Sequence, residues 1–78
     1  MFTKETEQAI YQMAGGATND LTYFGETAAE KRAELAEAIL PCLEMSYPAA
    51  ILEIRAAFKE RGFEVVLAEM AGMLRAYV

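Results

Sequence analysis

Glu30, Glu34, Glu37 and Glu44 are spaced so that a helix would carry them in one row. Carboxylates arranged this way can stay in water and confer solubility, meet a basic partner, or hold a hard cation. The Glu-x-x-His pairing of bundle di-iron sites cannot be built, because the chain has no histidine. That absence also removes the usual proton shuttle near neutral pH. Cys42 is the lone thiol and falls in the same stripe as Leu35, Ile39 and Leu43, so it reads as a buried structural residue rather than a nucleophile. Ser46, the only serine, stands just ahead of Pro48, where capping a helix explains it without catalysis. Gly15-Gly16 lacks the following lysine and hydroxyl residue of a phosphate loop and reads as a helix stop. These residues point to no catalytic, cofactor-binding or metal-binding set, and hence to no enzyme. The glutamate row is assigned as an acidic, partner-binding face.

The net charge of −5 argues against direct nucleic-acid binding, which calls for a clustered basic face. A protein partner with a basic surface is the better electrostatic match. Residues 1–78 read as one domain, close to the size at which a single core supplies only about 3 to 5 kcal/mol and needs a further support. One cysteine allows no internal disulfide, and without histidine there is no Cys/His zinc set. Self-association remains, and an apolar content of 55% favours it. Met1 to Glu7 contains no apolar run of a secretory signal. Phe63 to Val78 is the most hydrophobic stretch, but it is shorter than the about 20 residues of a membrane span and is broken by Glu64, Glu69 and Arg75. No membrane association and a reducing, cytoplasmic setting are therefore expected.

The elements that would position these groups are helical. Thr3 is placed to cap a first helix from about Lys4 to Ala14, whose narrow face of Ala9, Ile10, Met13 and Ala14 should dock on the domain rather than organise it. Residues 15–26 lack helical periodicity; Leu21, Tyr23 and Phe24 within them are expected to fold back over the core. Thr27 and Glu30 form a capping-box pattern that opens a second helix. Pro41 cannot donate to the Glu37 carbonyl, which predicts a kink or a helix end near Leu40.

Tyr47, Ile51, Ile54 and Phe58, then Val66, Met70, Met73 and Tyr77, repeat apolar side chains at steps of three and four on either side of Gly62. Pro48 suits the first turn of a third helix, with Ser46 capping it. Gly62 is expected to be left-handed in a Schellman cap that brings Phe58 against Phe63. A fourth helix then runs to the end of the chain. It is apolar or small nearly all round, with Ala68, Gly72 and Ala76 opposite its bulky face. Val-Val within Phe63 to Leu67 leaves a strand as the rival reading there.

In length, acidity and helical content the chain resembles acyl carrier proteins, whose phosphopantetheine serine begins a helix as Ser46 does in this reading. The family's Asp-Ser-Leu context is replaced by Met45-Ser46-Tyr47-Pro48, and the long capped helix ahead of it departs from the family's long first loop. The overall expectation is an all-α, four-helix orthogonal or bundle-like domain with a long loop between helices 1 and 2. Its function is expected to be that of a protein-interaction module, homodimeric through the last helix, with Val66, Met70, Met73, Leu74 and Tyr77 as interface anchors. The alternative is a small acidic antagonist of the kind mobile elements encode, whose helix 2 carboxylates block a basic, nucleic-acid-binding surface of a host protein.

Overall fold

A computed structural model describes residues 2–17 and 27–77. They form α1 (Lys4–Ala17), α2 (Ala28–Ser46), α3 (Pro48–Arg61) and α4 (Phe63–Met73), with no strand among the described residues. The all-α reading holds, and the segment from Phe63 to Leu67 is helix rather than sheet. The loop expected to fold over the core through Leu21, Tyr23 and Phe24 lies outside the described residues.

The longest helix, α2, packs against each of the other three. Its stripe of Leu35, Ala36, Ile39 and Leu43 is fully buried and meets Ile10 of α1, Ile51 and Ile54 of α3, and Val66 and Met70 of α4 in one core. Helix α1 is a full member of this core, not an appendage: Ile10 and Ala14 have no exposed surface, and α1 packs on α2 as extensively as α4 does. A narrow apolar face thus suffices when each residue on it is completely enclosed.

The capping signals are realised to different degrees. The Thr3 hydroxyl accepts the Thr6 amide at 3.3 Å, and the Thr27 hydroxyl accepts the Glu30 amide at 3.1 Å. Gly15 and Gly16 do not stop α1, which continues to Ala17. Each glycine weakens a helix by about 1 kcal/mol relative to alanine. Tertiary contact offsets this, because the Tyr77 ring packs beside Gly15 and its hydroxyl donates to the Tyr11 carbonyl at 3.2 Å. Nor does Pro41 end α2, which runs unbroken to Ser46. Glu37 and Pro41 both lie on the exposed side, where water can take up the carbonyl that proline leaves without a donor.

Helices 2, 3 and 4 are joined by single residues. Tyr47 alone separates α2 from α3, donating its amide to the Leu43 carbonyl at 2.7 Å and accepting the Ile51 amide at 3.1 Å. Ser46 is therefore the last residue of α2, not the cap of α3; the cap position belongs to Tyr47, with Pro48 directly after it. Gly62 is the corresponding joint between α3 and α4. Its φ of 98° is positive as expected, but its ψ of 143° is extended rather than left-handed helical. Its amide donates to the Phe58 carbonyl at 2.9 Å, and the rings of Phe58 and Phe63 stand 4.8 Å apart. A left-handed helical glycine would fold the chain back over the helix end; the extended ψ directs it straight into α4.

Helix α4 is shorter than expected. It ends at Met73, and two tighter turns follow in which Leu74 donates to Ala71 and Tyr77 to Leu74, both at 3.0 Å. This change of course seats Leu74 in the core and brings Tyr77 back to α1. No helix among the described residues is long and apolar enough to cross a membrane.

Candidate functional site

The sequence expectation placed the interface on Val66, Met70, Met73, Leu74 and Tyr77, but the subunit uses that face itself. Val66, Met70 and Leu74 are fully buried, while Met73 and Tyr77 are partly buried against the same core. Periodicity shows that such a face exists without showing what covers it, and the bulkiest side of a helix is the one whose burial in the subunit removes most apolar area from water. The outer side of α4 presents Val65, Ala68 and Gly72.

The acidic row lies on the side of α2 away from the core. Glu30, Glu37 and Glu44 are exposed and Glu34 is half-buried. The row is not uniform, because its local partners differ. The Thr27 hydroxyl donates to the Glu30 carboxylate at 3.2 Å, whereas Glu44 forms an ion pair with Arg55 of α3. A second pair, Arg61 with Glu69 at 2.6 Å, spans the Gly62 joint. Among the described residues no group of three or more carboxylates or thiolates is gathered as a metal would require.

Cys42 departs from expectation: it is exposed, not buried. It sits at the margin of the Leu35, Ile39 and Leu43 stripe, and α2 is rotated so that the margin faces out. Ser46 is likewise exposed at the end of α2, so the helix-initial serine that suggested a carrier protein is absent.

Two features had not been assigned from the sequence. One is an open cleft between the C-terminal half of α2 and α3, lined by Leu40, Pro41, Met45, Ile51 and Phe58, with the Glu44 and Arg55 side chains also in its wall. Met45 is 87% exposed, and Leu52, on the outer ridge of α3 one turn before Arg55, is 64% exposed. Both are large apolar residues lying off the core stripes of their helices. A helical wheel therefore carried the signal.

The other is a carboxylate lock on α1. Glu53 of α3 accepts the Thr3 amide at 2.9 Å, the Thr3 hydroxyl at 2.8 Å and the Thr6 hydroxyl at 2.6 Å. The Thr6 hydroxyl, followed by the Thr3 amide and hydroxyl, holds the Glu53 carboxyl below its ordinary value against the opposing effect of burial. A negative charge at the start of α1 also suits that helix's dipole. No local pattern could reveal this contact, since Thr6 and Glu53 are 47 positions apart.

Glu53→Gln is expected to destabilise the domain by about 1 kcal/mol at neutral pH, a modest figure because the site is only partly buried. A carboxyl with a lowered folded-state pKa stabilises above its unfolded value, here 4.5, and loses that contribution as the pH falls through the folded value. Urea melts of the wild type and variant should therefore differ at neutral pH and converge in acid. A gap that stays constant would show that ionisation of Glu53 plays no part.

Comparison with protein-family models, curated proteins and solved structures found no match.

Proposed function

We propose that this protein is a non-enzymatic interaction module that associates with itself. The observation carrying this reading is the exposure of Met45, Leu52 and Phe63 on a domain that already has a closed core. Large apolar side chains clustered at a surface mark contact sites, and methionine adapts its shape to a partner more readily than branched residues do. A two-fold dimer is the simplest assembly, as closed symmetric pairs are the commonest oligomers. With Val66, Met70 and Leu74 enclosed, α4 can offer a second copy Phe63, at the end beside Phe58 of α3.

Light scattering over a concentration series is expected to show a monomer–dimer equilibrium in the micromolar range. A strict monomer to high micromolar concentration would reject the reading. The acidic-antagonist alternative draws on the outward row of Glu30, Glu34 and Glu37. It would replace self-association if that monomer captured a basic host protein and charge reversal at those positions abolished capture without unfolding the domain.

A further inference from the structure

The geometry points to the α2–α3 cleft as the surface on which a second copy of this chain docks. This rests on the self-association proposed above and names its site. An apolar strip runs along one side of α3, from Met45 and Ile51 at one end to Phe58 and its neighbour Phe63 at the other. Residues from three helices thus contribute to one surface, because the single-residue joints at Tyr47 and Gly62 hold the helix ends together. The 14 residues of α3 extend the strip over about 21 Å.

Charge selects the occupant. The α2 wall carries Glu44, while the α3 wall carries Arg55, followed one turn later by exposed Lys59. A two-fold contact places each surface against an identical one and therefore requires both signs of charge on the same patch. Arg55 lies near the middle of α3, so an antiparallel pairing of two α3 helices brings the two Glu44–Arg55 pairs together. Each guanidinium can then face Glu44 of the second copy, while Met45 and Leu52 lose their contact with water. A uniformly acidic or basic partner would match only one wall. Glu44 and Arg55 would then set register and orientation, and the apolar strip would provide most of the affinity.

The test uses the full chain under reducing conditions, so that exposed Cys42 cannot cross-link. Met45→Glu and Leu52→Glu should each raise the dimer dissociation constant at least tenfold, with the helical signal and melting temperature of the monomer retained. Val65→Glu on the outer side of α4 should leave it unchanged. Native mass spectrometry of Glu44→Arg mixed with Arg55→Glu should give mainly heterodimer, since each variant alone sets like charges against each other and the mixture restores both attractions. A wild-type dimer that Val65→Glu disrupts and Met45→Glu does not would overturn this surface while leaving self-association standing. A statistical mixture of the two charge variants would do the same. A monomeric wild type would overturn both.

Discussion

Met70→Ala is expected to cost about 2 to 5 kcal/mol of folding stability, enough to leave much of the chain unfolded at room temperature. Met70 has no exposed surface and lies in the core with Leu35, Ile39, Leu43, Ile54 and Leu74. Removing its thioether arm leaves a void among side chains that already contact one another, and the loss combines the transfer of the deleted atoms with incomplete collapse around them. Urea denaturation followed by far-ultraviolet circular dichroism measures the effect. The loss should be the same at low and high protein concentration, because the contacts are made within one subunit. A stability deficit that disappears on dilution or concentration would move Met70 back to an interface between copies.

Gly62→Ala is expected to destabilise the domain by about 1 to 3 kcal/mol through backbone strain alone. A side chain added there would meet nothing within 4 Å, so crowding is not the reason; the combination of φ 98° and ψ 143° is one that residues with a Cβ rarely adopt. Gly72 provides the control. It is helical and exposed, also with nothing within 4 Å of an added Cβ, but without a positive φ. Alanine there should stabilise by up to about 1 kcal/mol through helix propensity. Thermal melts of the two variants should therefore shift in opposite directions. A neutral Gly62→Ala would mean that the joint can relax into ordinary backbone without disturbing α3 or α4.

The legible parts of the fold were those governed by local periodicity and local hydrogen bonding. The Leu35, Ile39 and Leu43 stripe, the Ile51 and Ile54 face, the Thr3 and Thr27 caps, and the contact of Phe58 with Phe63 all follow from residues a few positions apart. Helix ends were less legible because the surroundings, a packed ring in one case and solvent in the other, overrode local propensity. Tyr77 supports α1 at Gly15, and the exposed side of α2 accommodates Pro41. The surface was the least legible of all. An all-round apolar helix such as α4 does not reveal which side it turns inward, and Glu53 meets Thr6 only after three helices have been placed. The cleft at Met45 was readable in principle as an apolar residue on the wrong side of its stripe.

The joints at Tyr47 and Gly62 make the chain intolerant of any change in length at those two points. One residue spliced in there as helix would spin everything downstream by about 100° and advance it by about 1.5 Å. At Gly62 that would swing Val66 and Met70 off the core and carry Val65 toward it. A one-residue insertion or deletion at either corner is accordingly expected to unseat the downstream helix, whereas a change of residue identity there keeps the register.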